Sequence, residues 1–321
     1  MNDHLSSMEE VLLTGDHLSV YGLAVCLLQA GHKVQVKSAD PVTSGKQIIR
    51  CWEELPDEGN SAGLDNLRVV SSWQIQSSPA LAIILSPEDL AIKQSHIAEL
   101  EELLSAGAVI GVNTESFALS ELQANAAHPE RILGMNWVEP AHSTLFLELI
   151  RNETTREDMT DRVAELARQY WYKDPYVIRS DYGIRMPLLA ALVREAFHLI
   201  ENGYASVEDI DRACRNDAGY YLTFAGNLRY MDLMGTNAYG MVMKELNPEL
   251  GTESSVPESF IKLVGEGRTG MAAGKGFYAY ESGEKAKWEK LLREFSVEIK
   301  DLFERYPFPV HRKTPQFSDK G

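Results

Sequence analysis

RILGMNWVEPAHSTLFLELI, residues Arg131–Ile150, predicts two short apolar strands joined by a loop. We expect the strands at Ile132–Trp137 and Leu145–Ile150, and the loop between them carries His142. Glu148 is the one charged residue of these two strands. Because burying a carboxylate costs free energy unless a polar group meets it, Glu148 is a candidate site residue.

Different patterns lie on the two sides of this stretch. Before it, short apolar strands alternate with helical periodicity, and from about Ser180 onward only helical periodicity is found. The sequence therefore predicts an α/β protein. A Rossmann-like N-terminal domain at residues 1–179 is followed by an all-helical C-terminal domain at 180–321, for dimerisation or substrate binding, with an extra C-terminal helix at Lys285–Arg305. Clefts between domains are where ligands usually bind, so the two strands are expected to border the site.

The remaining predicted elements follow the same periodicities. Strands are predicted at Val11–Leu13, Lys33–Val36, Leu67–Val70, Ala80–Leu85, Ala108–Val112 and Tyr176–Arg179. Helices are predicted at Val20–Ala30, Lys46–Glu54, Leu90–Ala106, Asp158–Trp171, Pro187–Gly203, from Ser206 as N-cap to about Asn216, and at Asn227–Met234, Ala238–Leu246 and Pro257–Glu266.

Charge and composition exclude several classes of function. A formal net charge of −16 over 321 residues argues against nucleic acid or an anionic membrane as the main partner. The three cysteines form no C-x-x-C pattern, so we expect reduced thiols and no metal site. No apolar run approaches the ~20 residues that span a bilayer, and the polar N-terminus is unlike a signal peptide, so a cytoplasmic location is expected.

The first strand and helix resemble the opening of a dinucleotide-binding fold, but the glycine motif is incomplete. Gly15 takes the first glycine position of G-x-G-x-x-G, His17 the second and Val20 the third, and Gly22 follows soon after. A side chain at the second position obstructs approach of the backbone to a diphosphate. The position of the acid that would hold the adenosine ribose falls on Lys37 or Ser38, and Asp40 comes slightly too late. These replacements predict NAD binding that is weakened or lost.

The chain resembles the 3-hydroxyacyl-CoA dehydrogenase family over about residues 10–280. The resemblance rests on Glu201-Asn202-Gly203, Glu208-Asp209-Ile210-Asp211, Gly267-Arg268 and Gly274-Lys275-Gly276-Phe277-Tyr278 in the second half, and on Ala30-Gly31-His32-Lys33-Val34 and Asn113-Thr114 in the first. It implies NAD-dependent oxidation of the 3-hydroxyl group of an acyl-CoA, a place in fatty acid metabolism, and a homodimer made by the helical domain.

The resemblance also assigns catalytic positions. The family uses a histidine as base and a glutamate that orients it, and these positions fall on Asn136 and Glu148. An amide cannot serve as a general base, although it can donate and accept hydrogen bonds. The family's serine after Asn113-Thr114 falls on Glu115, and its asparagine early in the first C-domain helix falls on Met186. Of the family's four polar catalytic positions, the chain therefore keeps one, the glutamate at Glu148.

The cofactor positions near the nicotinamide are better preserved. Glu88 and Lys93 match the pair that reaches the nicotinamide ribose in the family, and Asn113 follows the strand beside it. Without the resemblance, Glu88 would be an acid at a helix start and Lys93 a solvated lysine. The segment 41–79 is shorter than the helical arm that contacts CoA in the family, so specificity for acyl-CoA is in doubt.

Two replacements for the missing base are open at this point. His142 could enter the cleft or face solvent as a loop residue, and Glu115 and Glu148 could form a carboxylate pair in which repulsion raises one pKa. Two functions are likewise open. The chain is either a divergent dehydrogenase that acts on an altered 3-hydroxy substrate, or a non-catalytic relative that serves as a binding or assembly protein. Combined loss of the histidine, its asparagine partner and the phosphate-binding glycines favours the second.

Overall fold

The computed structural model describes residues 10–15, 19–53, 55 and 61–307. Its sheet has eight strands in the order β3-β2-β1-β4-β5-β6-β7-β8, and every neighbouring pair is parallel except β6 and β7, which are antiparallel. The strands are β1 Glu10–Thr14, β2 Lys33–Lys37, β3 Leu67–Val70, β4 Leu81–Ile84, β5 Val109–Val112, β6 Ile132–Asn136, β7 Phe146–Arg151 and β8 Asp174–Arg179. Chain order reverses between β1 and β4, where open α/β sheets bind ligands.

Twelve α-helices accompany the sheet within the described residues. They are α1 Ser19–Gln29, α2 Pro41–Glu53, α3 Leu90–Leu103, α4 Leu119–Gln123, α5 Glu157–Tyr170, α6 Arg185–Glu201, α7 Val207–Ala213, α8 Gly219–Ala225, α9 Asn227–Met234, α10 Thr236–Leu246, α11 Glu258–Gly265 and α12 Glu284–Arg305. The predicted α/β class, with a Rossmann-like part followed by helices, is confirmed. Every predicted strand and helix is present, with small shifts at the ends.

Three features of the helices were not predicted. Helix α2 begins at Pro41, five residues before the expected start, and Asp40 Oδ1 accepts a hydrogen bond from Thr43 N at 3.1 Å as its cap. The five-residue α4 has an alanine, Ala118, at its N-cap, so its start lacks the usual Ser, Thr, Asp or Asn signal, although Glu121 Oε2 accepts a hydrogen bond from Ala118 N at 2.8 Å. A π-helical turn at Cys214–Ala218 joins α7 directly to α8, which hid the second helix.

Both faces of the sheet are covered by apolar layers. Side chains alternate along the buried strands, so that Val11 and Leu13 join one cluster while Leu12 joins the other. The first cluster includes residues of α1 and α5, and the second includes residues of α3 and α4. Helices on both faces leave the carboxyl ends of the parallel strands as the edge at which polar groups gather.

The chain divides into two compact units, Met1–Leu188 and Leu189–Gly321. All eight strands belong to the first unit, and the predicted boundary after residue 179 falls at the end of β8. In the second unit, Phe260 and Phe277 lie 5.7 Å and 6.0 Å from the ring of Phe197. Among the described residues, none of the helices combines the length and the apolar character needed to cross a bilayer.

Candidate active site

A cleft opens at the carboxyl ends of β1, β4, β5 and β6, in the first unit. It is lined by Ser19, Leu85, Ser86, Pro87, Glu88, Asn113, Glu115 and Trp137. Ser19 is the first residue of α1, and the other seven follow the ends of β4, β5 and β6. The cleft therefore lies at the reversal of strand order, where a Rossmann-like sheet places its ligand.

The glycines assigned to the cofactor have different surroundings. Gly15 follows β1 with φ of +130°, and a Cβ there would lie 1.8 Å from Leu85 O, so only glycine fits this turn. Gly22 lies inside α1, where a Cβ would lie 3.2 Å from Ala141 N and from Glu139 Oε2. Gly22 thus lets α1 approach the β6–β7 loop and is not part of the turn after β1. His17 lies outside the described residues.

Glu88, Lys93 and Asn113 form one hydrogen-bonded network. Lys93 Nζ donates to Asn113 O at 2.7 Å and to Asn113 Oδ1 at 3.1 Å, and it lies 3.2 Å from Glu88 Oε2. Asn113 also joins both polar backbone atoms of Ser86, at 3.0 Å and 2.9 Å. Lys93 is fully buried, so the alternative interpretation of a solvated lysine is wrong. The helix-start acid that caps α3 is Asp89, which accepts from Ile92 N at 3.0 Å.

The charges of this network are fixed by their neighbours. Burial raises the pKa of Glu88, but hydrogen bonding from Ser116 N and the charge of Lys93 outweigh it, and the pKa lies below its ordinary value. Glu88 Oε1 also accepts from Glu115 N, at 3.0 Å. Burial lowers the pKa of Lys93, and Glu88 partly offsets this effect. Glu88 is therefore ionised, and its hydrogen bonds join the loop after β4 to the loop after β5.

Asn136 and Glu148 stand directly opposite each other on β6 and β7. Asn136 Nδ2 donates to Glu148 Oε2 at 2.9 Å and to Thr114 O at 2.8 Å, while Asn136 Oδ1 accepts from Thr114 N at 2.8 Å. Both amide hydrogens are used in these bonds. The amide of Asn136 thus links the loop after β5 to the buried carboxylate, and it has no donor left for a substrate.

Glu148 is fully buried and accepts hydrogen bonds at both oxygens. Its Oε1 accepts from Ile184 N at 2.8 Å, from Arg185 N at 3.2 Å and from Tyr176 OH at 3.4 Å. Burial, followed by the charge of Glu148, raises the pKa of Tyr176, which keeps this hydroxyl protonated as a donor. The polar partners predicted for Glu148 are therefore found, and they include the start of α6.

Glu115 lines the cleft and pairs with Arg185. Arg185 Nη1 lies 3.0 Å from each carboxylate oxygen of Glu115, and the two side chains are 31% and 30% exposed. Burial raises the pKa of Glu115 above its ordinary value, although Arg185 opposes this, and the charges of Glu88 and Glu148 add to it. The repulsion that the sequence suggested between Glu115 and Glu148 is thus a smaller contribution than burial.

His142 lies in the turn between β6 and β7 and is half-buried. Lys173 Nζ donates to Ala141 O and Thr144 O on either side of it, which anchors this turn. In the described part of the chain, His142 is not among the residues that line the cleft. No group of three or more His, Cys, Asp or Glu residues in that part could hold a metal ion.

Three residues of the site were not predicted. Trp137 forms part of the cleft wall and packs on Trp171, with ring centroids 5.8 Å apart. Tyr176 and Arg185 meet Glu148 and Glu115 from more than 25 positions away in sequence. Arg185 comes one residue before Met186, the family's asparagine position, and this neighbourhood could have marked it as a site residue. No sequence signal indicates that Arg185 pairs with Glu115.

Two family models match consecutive parts of the chain. The model described as 3-hydroxyacyl-CoA dehydrogenase, NAD binding domain, matches residues 21–181, and the model of the C-terminal domain of the same family matches residues 185–280. Helix α12 follows the second match. The two models together cover the cleft residues other than Ser19 and most of the helical unit.

Curated relatives are similar to the chain over most of its length. The 5-formyl-3-hydroxy-2-methylpyridine 4-carboxylate 5-dehydrogenase of Mesorhizobium japonicum is 27% identical over 268 residues, which is 81% of this chain and 86% of that protein. The fatty acid oxidation complex subunit alpha of Vibrio campbellii is 30% identical over 242 residues, 73% of this chain. The match spans 33% of that subunit's own length.

Solved structures share the fold. A crystal structure of a 5-formyl-3-hydroxy-2-methylpyridine 4-carboxylic acid 5-dehydrogenase has a TM-score of 0.84 at 23% identity and covers 92% of this chain and 99% of that chain. The (S)-3-hydroxybutyryl-CoA dehydrogenase of Ralstonia eutropha has a TM-score of 0.66 at 21% identity, with 86% and 100% covered. At these identities the likeness shows the fold alone.

Proposed function

This chain belongs to the 3-hydroxyacyl-CoA dehydrogenase family, and on that premise we propose that it is a divergent NAD-dependent oxidoreductase in which Glu115 takes over the role of the missing histidine. The reaction interconverts a hydroxyl and a carbonyl group on a small molecule. The observation that carries the proposal is the position of Glu115, a half-exposed carboxylate with a raised pKa in the wall of the cleft.

The residues present fit a nicotinamide nucleotide. Gly15 brings the turn after β1 within a distance of β4 that any Cβ would block, which leaves the start of α1 open to the cleft. Glu88 and Asn113 lie in the cleft wall and are held by Lys93, so they would contact the nicotinamide end. NAD supplies the acceptor of a hydride when bound. Weakened binding at the diphosphate, because of His17, is part of the proposal.

The other candidate bases are less suitable. Asn136 cannot accept a proton at neutral pH, and its amide is fully used by Thr114 and Glu148. Glu148 is fully buried with both oxygens engaged. Glu88 has a lowered pKa and backbone donors at Oε1. Glu115 combines access to the cleft with a pKa shifted toward neutrality, which is what a general base requires.

In the oxidative direction, the Glu115 carboxylate would remove the proton of the substrate hydroxyl group, and NAD, when bound, would accept the hydride from the same carbon. The carboxyl group becomes neutral, and Arg185 remains beside it as a fixed positive charge. In the reductive direction the protonated Glu115 returns the proton to the carbonyl oxygen. Protons and electrons balance in both directions without another group of the protein.

Replacement of Glu115 by glutamine tests the proposal. We expect Glu115→Gln to reduce kcat by about 10²–10⁴-fold, as for loss of a general base, and to leave the affinity for NADH near that of the wild type. Glu153→Gln, at an exposed loop carboxylate, is the matched control. Turnover would be measured with NAD and a panel of 3-hydroxy compounds, and NADH binding by nicotinamide fluorescence.

The pH profile gives a second readout. Because the pKa of Glu115 is raised, the oxidative kcat/KM of the wild type should increase with pH up to a limit above the ordinary range of glutamate, and the reductive rate should decrease over the same interval. Turnover by Glu115→Gln at the wild-type rate would contradict the assignment of the base. Absence of NADH binding up to millimolar concentration would contradict the dehydrogenase itself.

A non-catalytic binding or assembly protein is the second candidate. The observation that favours it is the use of both N–H groups of Asn136 within the protein, because the group at the histidine position then has no donor for a substrate. This candidate predicts neither turnover nor NADH binding, and Glu115→Gln would then have no effect on either measurement. The same titration therefore separates the two functions.

We also propose a homodimer in the cytoplasm. Large apolar side chains are exposed along the helices of the second unit, among them Leu228, Leu233, Met241, Val242, Ile261, Trp288, Leu292 and Phe295. Soluble proteins expose single apolar side chains, but so many on the helices of one unit indicate a surface that a partner covers. A second copy of the chain presents the same helical faces and could cover it. The acidic charge of the chain does not favour nucleic acid or an anionic membrane as a partner.

A further inference from the structure

We propose that Arg185 binds a free carboxylate of the substrate, so that the chain acts on hydroxy acids rather than on their thioesters. The inference rests on the proposed function for its chemistry, and it names the class of substrate. It places the anionic group at the edge of the cleft, beside the carboxylate that handles the proton.

Arg185 is held firmly in its position. It is the first residue of α6, and its backbone N donates to the buried Glu148 at 3.2 Å. Its guanidinium lies against Glu115 on one side, and its Cζ lies 6.0 Å from the ring centroid of Phe146 on another. A guanidinium that is fixed by such contacts loses little further freedom when it binds a ligand.

The guanidinium presents an open edge. All of its hydrogen bonds within the described residues are made by Nη1, to Glu115 at 3.0 Å and to Met186 Sδ at 3.2 Å. Nε and Nη2 have no hydrogen-bond partner among those residues, and the side chain is 30% exposed. These two nitrogens carry parallel N–H groups whose spacing matches the two oxygens of a carboxylate.

Lys93, the second positively charged side chain near the cleft, already has partners within the protein. Lys93 is fully buried and bonded to Ser86, Asn113 and Glu88. Arg185 does not line the cleft itself but pairs with the lining residue Glu115, so it offers a partly exposed positive charge to an anion at the edge of the cleft. A neutral ester would offer the guanidinium an uncharged carbonyl oxygen in place of a carboxylate with two charged oxygens, so it should bind more weakly at the same place.

By the family resemblance, residues 41–79 take the place of the segment that contacts CoA. In its described part, this segment contains α2, a 3₁₀ turn at Ser61–Asn66 and β3. The described part does not contain a longer helical arm that would hold a CoA group. A substrate with its own carboxylate needs no such arm.

Matched substrates test the inference. We would compare 3-hydroxybutyrate, 3-hydroxyhexanoate and 3-hydroxy-3-phenylpropionate with their methyl esters and with 3-hydroxybutyryl-CoA. The wild type should use the acids with a kcat/KM at least about tenfold above that of the esters, as expected for a charge-assisted bidentate contact. Arg185→Gln should remove this preference by raising the KM of the acids more than that of the esters, whereas any change in kcat that comes from the loss of Arg185 beside Glu115 should be shared by acids and esters. Arg179→Gln, an exposed arginine of β8, is the control.

Arg185→Lys keeps the charge but not the planar pair of donors, so it should also lose most of the preference for acids. This variant carries the test if Arg185→Gln does not fold, as judged by circular dichroism.

A binding measurement does not depend on turnover. Calorimetry in the presence of NADH should show binding of butyrate but not of butyramide, and Arg185→Lys should weaken the binding of butyrate.

The outcomes separate the inference from the function. Arg185-dependent binding of butyrate without oxidation of any substrate would support the carboxylate site and contradict the dehydrogenase. Turnover with equal kcat/KM for acids and esters, or with the CoA thioester preferred and insensitive to Arg185, would overturn the inference and leave the function standing. If the protein shows no turnover and does not bind butyrate, both the carboxylate site and the dehydrogenase function are contradicted.

Discussion

At the scale of single residues, Glu148 joins three segments that are distant in sequence. Its oxygens accept from Asn136 on β6, from Tyr176 on β8 and from the backbone at the start of α6. Because the carboxylate is fully buried, each of these donors replaces a bond to water that folding removed. The position of Arg185, and through it of Glu115, therefore depends on Glu148.

Gly183 offers a test of this dependence. A Cβ at Gly183 would lie 2.1 Å from Glu148 Oε2, and Glu148 cannot move without losing its donors. We expect Gly183→Ala to lower the free energy of unfolding by about 1–3 kcal/mol, as for overpacking in a filled interior. Urea denaturation measures the change. Gly107→Ala is the control, because a Cβ there would meet nothing within 4 Å; equal effects of the two changes would contradict the prediction.

The sequence predicts some of these residues and not others. An isolated carboxylate in an apolar strand must have polar partners, so the need of Glu148 for donors follows from the pattern alone. The burial of Lys93 does not, because a lysine near the start of a helix is usually solvated. The pair of Glu115 and Arg185 is separated by seventy positions, and sequence periodicity contains no information on such a contact.

At the scale of elements, the antiparallel pair of β6 and β7 places Asn136 and Glu148 opposite each other. The sequence predicts the two apolar strands and the loop between them, and the observed bounds differ from the prediction by one residue at three of the four ends and agree at Ile132. Ser206 was also predicted as the N-cap of α7, and Asp209 N donates to Ser206 Oγ at 3.1 Å. Local signals of this kind succeed because every interacting group lies within a few residues.

Helix α6 provides a pH-dependent contact in the second unit. His198 Nδ1 lies 3.0 Å from Glu253 Oε1, and this hydrogen bond raises the pKa of His198. The contact therefore stabilises the unit fully below about pH 6.5, the ordinary value of histidine, and its contribution is lost as the pH rises through the higher folded value. Glu195, which like His198 belongs to α6, accepts a hydrogen bond from Gly251 N at 2.8 Å and so holds the loop that contains Glu253.

Glu253→Gln should return the pKa of His198 toward its ordinary value, because the carboxylate that favours the charged ring is removed. The titration would be followed by NMR of the imidazole protons. Glu249→Gln, in the turn before the same loop, is the control. An unchanged titration of His198 in Glu253→Gln would contradict the assigned contact.

At the scale of the whole molecule, the two units differ in how they bury apolar side chains. Among the residues that the structure describes, the buried hydrophobic side chains lie almost entirely in the first unit, and Ala225 is the one in the second. Helix α12 has an apolar stripe in which Trp288 is 51% and Phe295 is 59% exposed. Periodicity predicted the stripe of α12, but no sequence pattern shows what covers it.

We expect the purified chain to sediment at twice its mass of 35.9 kDa. Phe295→Glu should shift it to a single copy and lower its thermal stability, because a charge cannot enter an apolar contact without a partner. Val42→Glu is the control, since Val42 is 67% exposed in the first unit. Sedimentation of the wild type as a single copy would contradict the dimer.

The hydrogen bonds of Asn136 have one further consequence, which concerns the path of a proton. An imidazole at this position could take up a proton at one nitrogen and release another from its second nitrogen, whereas an amide can do neither. Asn136 therefore offers no proton relay between the cleft and Glu148. Under the proposed function, a proton that Glu115 takes from a substrate would return to solvent through the exposed part of that carboxylate before the next hydroxyl group arrives.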